Sequence, residues 1–478
     1  MPLLPTIQEE GPISWSRIYI LYRFQFQAMS SASAIFFAGG MKLAWSVFET
    51  PIFNSTVALS THLLTIAWFV GVAAGAIIAS SFVQNVSKNI AHCTSGILLL
   101  FGGILFSCAP TMFSFLLCSC LLEGCAYGIN QIQSLVTAAE CAHKDIRGFL
   151  LSSERIFLWL GICLQLFCTR LWFTIEPTNG YTALHVNQLH GIVVIIIALG
   201  ALAFNFLYRF ESPLLLQMQQ RDLAATYVMK RLQGTHYPSI EVNEKRGEFK
   251  QVLAYDAGQS SSWHVMCKSN LISLLKVLML RCYGTISLSL PVNRTFIMAS
   301  MTALSCAMNC VYLLALCGLM GSIFGAFCVD KYGRRKITVI SLLFSGTGAF
   351  LMGGTLQYVY ETVSLKLLTH LTFGMIVYLM LCYQIFVSAG VSLASSVYMS
   401  EAFTITVKSK CLSVVIVVEH FLQIALALIV FYIDFNKSYF FFTLGVVGMV
   451  IGTSALFVLP EKMYLSLYDS LCKFNAVP

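Results

Sequence analysis

The chain has 478 residues, of which 58% are hydrophobic and only 10% charged, and its mean hydropathy is +0.78. A soluble domain carries roughly 25% charged residues, so this chain lacks the polar surface to dissolve in water. That excludes a cytosolic enzyme, a secreted disulfide scaffold and a disordered regulator, and the net charge of +8 reads as membrane topology, not as a nucleic-acid footprint.

A membrane-spanning helix needs about 20 predominantly apolar residues. Such stretches fall at 24–46, 61–82, 91–109, 113–137, 149–172, 189–208, 272–291, 303–328, 337–357, 366–396, 411–433 and 439–459. The expected fold class is therefore an all-α membrane protein of about 12 transmembrane helices. Lys42 interrupts the first stretch, and Lys276 and Arg281 the seventh. Lys42 stands near the outer end of its helix, where a snorkelling side chain is expected. The start, MPLLPTIQEEGPISW, is polar and acidic, so no cleavable signal is expected. Most of the 17 cysteines, such as Cys118, Cys163, Cys306 and Cys382, stand singly in apolar runs without metal-ligand spacing. They read as small hydrophobes. Neither a metal nor a cofactor is expected, and no nucleophile–base pair or phosphate loop suggests an enzyme.

Lys and Arg set the orientation. With the N-terminus cytoplasmic, the inner segments hold Arg17, Lys88, Lys144, Arg147, Lys331, Arg334, Arg335, Lys336, Lys408 and Lys410, whereas the outer loops hold only Arg294, Lys366 and Lys437. Both termini are expected in the cytosol, in the plasma membrane. The sequons at Asn54 and Asn293 then fall outside, Asn54 being the expected glycan site, and the one at Asn85 falls inside.

The longest polar stretch, about 209 to 270, divides the spans into sixes and reads as short amphipathic helices. The expected organisation is a cytoplasmic segment 1–23, a bundle 24–208, a linker 209–270, a bundle 271–460 and a cytoplasmic tail 461–478. The halves share punctuation. Ser87-Lys88 follows the second span, and Asp330-Lys-Tyr-Gly333-Arg334-Arg335 the eighth. Glu140 precedes Arg147-Gly148 after the fourth span, as Glu401 precedes Lys408-Ser409 after the tenth. Glu211-Ser212-Pro213 follows the sixth, and Pro460-Glu461 the twelfth. Three coincidences in one order argue for a duplicated six-helix unit, an architecture of secondary transporters.

With Ser400-Glu401-Ala402-Phe403 and Gly39-Gly40…Ala44-Trp45-Ser46, these motifs make the chain resemble the sugar porters of the major facilitator superfamily, the facilitative glucose and trehalose transporters, over about residues 20 to 465. The resemblance implies two pseudo-symmetric six-helix bundles. It also implies a latch of salt bridges among Asp330, Gly333, Arg334, Arg335 and Glu401 that holds the cytoplasmic side shut. The N-terminal half departs from the pattern, with Gln84, Ser87, Lys88 and Asn89 where the family has Asp, Gly, Arg and Arg or Lys. Glu140 keeps Arg147, Lys88 is expected to replace part of the missing arginine, and the latch should be lopsided.

The substrate positions differ more. Where glucose facilitators carry amides and a Gly-Pro-x-Pro-Trp run, this chain has Glu154-Arg155, Arg281-Cys-Tyr-Gly284-Thr-Ile286, Ser392-Leu-Ala-Ser395-Ser396 and Glu419-His420. The pathway candidates are Arg155, Gln165, Arg281, Ser396, Glu419 and His420. Buried ionisable groups are costly in a bilayer, and three readings stand: ion pairs holding helices together, recognition of a charged or zwitterionic solute, or proton coupling through Glu419 and His420. The expected function is alternating-access transport of a small polar solute, sugar-like or charged. The alternative is a non-transporting sensor or structural paralogue, which the short run after Pro460 disfavours.

Overall fold

The computed structural model describes residues 15–49, 59–83, 85–179, 185–234, 240–257, 263–304, 307–361, 366–433, 436–461 and 467–475. Among them, 12 helices are long and apolar enough to cross a membrane: Tyr22–Phe48, Leu59–Phe82, Lys88–Cys108, Phe113–Cys141, Arg147–Trp172, Val186–Leu207, Asn270–Ala303, Asn309–Tyr332, Arg334–Glu361, His370–Glu401, Ile405–Tyr432 and Lys437–Val458. They are spans 1 to 12 below. Every expected stretch is present, and the protein is an all-α, multi-pass membrane protein.

Packing repeats between the halves. Spans 1 and 5, 2 and 4, and 3 and 6 lie together in the first, as 7 and 11, 8 and 10, and 9 and 12 do in the second. The halves meet where span 2 runs along span 11 and span 5 along span 8, two contacts that a pseudo-two-fold axis exchanges. This is the duplicated major facilitator architecture.

Spans 7 and 10 are broken. The first helix of span 7 ends at Ile286 and the second begins at Leu290. Pro291 has no amide hydrogen to continue the ladder, and the turn is closed by Leu288 N to Thr285 O at 3.0 Å and Ser289 N to Ile286 O at 3.0 Å. Span 10 breaks at Gly390, where a Cβ would collide with the Ser341 side chain. Span 7 also runs well past the expected 272–291. Its second helix corrects the reading of Asn293 as a loop sequon: the residue is 1% exposed and its Nδ2 donates to Leu288 O at 3.2 Å. Asn54 lies outside the described residues.

Several helices extend further toward the end that carries the linker (the linker end) than hydropathy suggests. Glu140, Asp330 and Glu401 therefore ride on helix termini. Between the halves run helices Pro213–Met218, Asp222–Gln233 and Ile240–Ala257. Ser212 caps the first, its hydroxyl accepting from Leu215 N at 3.1 Å with Pro213 at the first helical position. Leu214, Met229, Val242 and Phe249 bury a small core against Ile405 at the start of span 11. Lys245 Nζ donates to the carbonyls of Cys141 at 3.1 Å and Ala142 at 3.2 Å, satisfying the open end of span 4. Burial lowers its ammonium pKa to about 8.

Spans 1 and 5 cross at backbone contact: a Cβ on Gly40 would strike the Leu158 carbonyl, and one on Gly161 the Phe37 carbonyl. Small residues permit such approach inside a bilayer. Gly161→Val is expected to cost about 1–3 kcal/mol through overpacking and to lower the unfolding temperature in detergent. Gly348→Ala, whose added Cβ meets nothing within 4 Å, should leave it unchanged.

Candidate functional site

Two buried polar layers join the halves. At the midplane, Glu154 and Arg155 of span 5 face Arg281 of span 7, Ser396 of span 10 and Glu419 of span 11. Arg281 Nε donates to Glu419 Oε2 at 2.6 Å, and its terminal nitrogens donate to Ser396 Oγ at 2.8 Å and to Glu154 Oε1. Ser396 Oγ donates to Glu154 Oε2 at 2.8 Å, and Gln131 Nε2 to Glu154 Oε1 at 2.9 Å. Arg155 donates to Glu419 Oε1 at 3.3 Å, while its Nε lies 3.9 Å from Glu154 Oε1. Carboxylates and guanidiniums thus alternate around a closed quartet, none more than 3% exposed.

The arrangement is neutral as a whole and neutral in each half. The first half supplies Glu154 and Arg155, the second Arg281 and Glu419. Arg281–Glu154 and Arg155–Glu419 cross between halves, whereas Arg281–Glu419 and Arg155–Glu154 stay within them. Separating the halves would therefore leave each with its own ion pair and no bare charge. Charge-assisted hydrogen bonds offset the desolvation of the buried ions.

Against the quartet lies a cavity of about 20 Å³ between the halves, lined from one side by Trp68, Phe69, Tyr127, Gln131 and Arg155 and from the other by Thr285, Glu419, His420 and Gln423. That is room for about one water. His420 is not a partner of the quartet; its Nδ1 faces Ile416 O at 2.8 Å and its ring lies beside Trp68 and Phe69. Gln165 is not at this interface either. It sits inside the first bundle, its Oε1 2.7 Å from His190 Nδ1.

At the linker end, Glu401 accepts from Arg147 across the interface at 3.3 Å and from Arg334 within its own half. Asp330 reaches from span 8 to the first turn of span 5, accepting from Gly148 N at 3.1 Å and Phe149 N at 2.8 Å. Gly333 makes the turn before span 9 with φ +95°, where an L side chain is strained. Glu461 then caps span 9 through Arg334 N at 3.1 Å and Arg335 N at 3.3 Å. Glu211 does the same for span 3, accepting from Lys88 N at 3.2 Å, Asn89 Nδ2 at 2.8 Å and the Ser87 hydroxyl. Carboxylates suit helix N-termini, so the paired signatures are structural counterparts.

Two expectations change here. Lys88 does not stand in for an arginine, since its Nζ donates to Val83 O at 3.0 Å. Nor does Glu140 pair with Arg147: it accepts from the Ser212 hydroxyl, and lies with Lys88 and Lys408 around a small cavity. The latch is lopsided because Arg147 has crossed to Glu401.

Sequence reasoning missed a further cluster inside the first bundle. Lys42 is fully buried, not snorkelling, with Nζ 3.5 Å from Glu123 Oε2 and over the Phe106 ring at 3.5 Å. Glu123 also accepts from Ser119 Oγ at 3.0 Å and faces His190 Nε2 at 3.9 Å. A lone carboxylate within the apolar run of span 4 was the available signal. Spans 1, 4 and 6 are stapled together there, on one side of the interface.

Arg281 is the guanidinium with the most partners, donating to Glu419, Ser396 and Glu154. Arg281→Gln leaves Glu154 and Glu419 without their strongest donor and is expected to cost about 3–5 kcal/mol, seen as a lowered unfolding temperature of the purified protein.

The sequence matches the family model "Sugar (and other) transporter" over residues 20–470. It is 25% identical to the facilitated glucose transporter member 12 of solute carrier family 2 from Xenopus laevis over 192 residues, 40% of this chain and 30% of that one. It is 24% identical to an MFS glucose transporter of Aspergillus flavus, over 61% of this chain and 56% of the other. The matched region thus spans about a third to a half of these relatives' own length. In fold it is similar to the proton:xylose symporter XylE bound to 6-bromo-6-deoxy-D-glucose, with a TM-score of 0.74 at 15% identity over 94% of this chain and 98% of that one. Against the inward open conformation of the xylose transporter from Escherichia coli the score is 0.60, at 15% identity over 95% and 99%. The chain belongs to the sugar (and other) transporter family.

Proposed function

We propose that the protein, a sugar-transporter-like carrier, moves a small polar solute across a membrane by alternating access, its halves rocking about the midplane quartet. The observation that carries this reading is the division of charge in the quartet: its cross-half bonds can part while each half keeps one Arg–Glu pair. A joint meant only to hold the bundles together has no need of that property. In this reading the linker end and both termini face the cytoplasm at the cell surface and Asn54 lies outside, an orientation supported by the excess of Lys and Arg in the segments on the linker side. Glu401, Arg147 and Asp330 then form the inner gate, shut in this structure. A second reading, a non-transporting paralogue, is favoured by the small midplane cavity, which a monosaccharide does not fit until the halves separate.

Glu401→Gln removes the charge that Arg147 and Arg334 share. Charge-assisted hydrogen bonds contribute about 1.5–3 kcal/mol each, so the balance should shift toward inward-open by about tenfold or more. Cysteine labelling from the two sides would show it; unchanged labelling would reduce the latch to a loop anchor.

The double variant Arg155→Glu with Glu419→Arg separates the two readings. It keeps both cross-half pairs but gives each half two like charges, so it should fold, stay closed and lose uptake. Should it cycle as wild type does, the quartet is no part of the moving joint.

A further inference from the structure

We propose that the solute is a small zwitterion, bound between Arg155 and Glu419 with its carboxylate on the guanidinium and its ammonium on the carboxylate. The proposal rests on the carrier reading above and names its solute class. Arg155–Glu419 is the cross-half pair that lines the midplane cavity. Arg281–Glu154, the other one, lies behind it and is not part of the cavity wall.

When the halves part, Arg155 loses a carboxylate and Glu419 loses a guanidinium. A solute entering between them is held best if it returns both. A monoanion satisfies Arg155 and leaves Glu419 facing another negative charge. A monocation does the reverse. A neutral polyol offers hydroxyls to each but restores neither charge, in a site where solvent is excluded and charges are costly to leave unpaired. A zwitterion replaces the lost pair and keeps the site neutral.

The cavity wall carries a second and independent sign. Three of its residues hold a buried polar atom with no hydrogen-bond partner among the described residues: the donors Arg155 Nε and Trp68 Nε1, and the acceptor Gln131 Oε1. Arg155, Trp68 and Gln131 are each at most 3% exposed. Two donors suit the two oxygens of a carboxylate, and the acceptor suits an ammonium proton. The rings of Trp68, Phe69 and Tyr127 complete the wall, and aromatic faces receive ammonium groups, quaternary ones included. Other buried charges are paired, Lys42 with Glu123 and Arg147 and Arg334 with Glu401, whereas Lys88, Glu140 and Lys408 line a separate small cavity at the linker end.

The test follows binding and flux together. The purified protein in detergent is titrated with L-alanine, glycine betaine, D-glucose, choline and L-lactate while its unfolding temperature is read, since a ligand of the native state raises it. The same solutes, radiolabelled, are offered to proteoliposomes. A zwitterion is expected to raise the unfolding temperature saturably and to enter at least tenfold faster than into protein-free liposomes. Arg155→Lys, which keeps the charge and loses the Nε donor, should weaken that stabilisation at least tenfold in concentration. Saturable entry of D-glucose, choline or L-lactate with no effect of either zwitterion overturns the proposal and leaves the carrier reading standing. Stabilisation by a zwitterion without entry upholds the site and sinks the carrier reading. No response to any of the solutes overturns the proposal, and cysteine accessibility from both sides then decides the carrier reading separately.

Discussion

Four full charges cannot be taken out of water inside a bilayer unless they satisfy one another, and the centre of this protein is organised by that constraint. Glu154, Arg155, Arg281 and Glu419 come from three spans in two halves, so the halves must meet in one register for the cross-half pairs Arg281–Glu154 and Arg155–Glu419 to form. The broken helices of spans 7 and 10 serve the same end. The break after Ile286 lies just past Arg281, and the break at Gly390 lets the second part of span 10 bring Ser396 between Arg281 and Glu154. Discontinuous helices at the midplane are where transporters of this architecture build their sites.

The polar layer at the linker end differs in kind. There the carboxylates act largely on backbone: Asp330 on the first turn of span 5, Glu461 on span 9, Glu211 on span 3. A helix terminus offers unsatisfied amide hydrogens wherever it ends, so these contacts need only a correctly placed carboxylate. Glu401 alone gathers two guanidiniums, one from each half. It is the point where the linker-end layer depends on side-chain charge.

The quartet and the latch divide the work of holding the halves. The latch residues Arg147, Arg334 and Glu401 are as buried as the quartet. What sets the quartet apart is that each half also holds an ion pair of its own, Arg155–Glu154 in the first and Arg281–Glu419 in the second. The Lys42–Glu123–His190 cluster does not join the two halves, since it lies wholly in the first bundle.

Hydropathy and punctuation alone determined the class, the 12 spans and the duplication, because a run of about 20 apolar residues has few alternatives to a spanning helix. The motifs Glu211-Ser212-Pro213 and Pro460-Glu461 pointed to equivalent places in the two halves, and the caps they form are equivalent. Arg155, Arg281, Ser396 and Glu419 were legible as pathway candidates because ionisable groups are rare in such runs. Their partners were not. That Arg147 turns to Glu401 and not to Glu140, that Gln165 faces His190 and not the interface, and that Lys42 is paired and not snorkelling were settled only by how helix faces meet. Hydropathy is a property of one helix at a time, whereas these pairs bring side chains of different helices within about 4 Å of each other. Only the packed bundle specifies that distance.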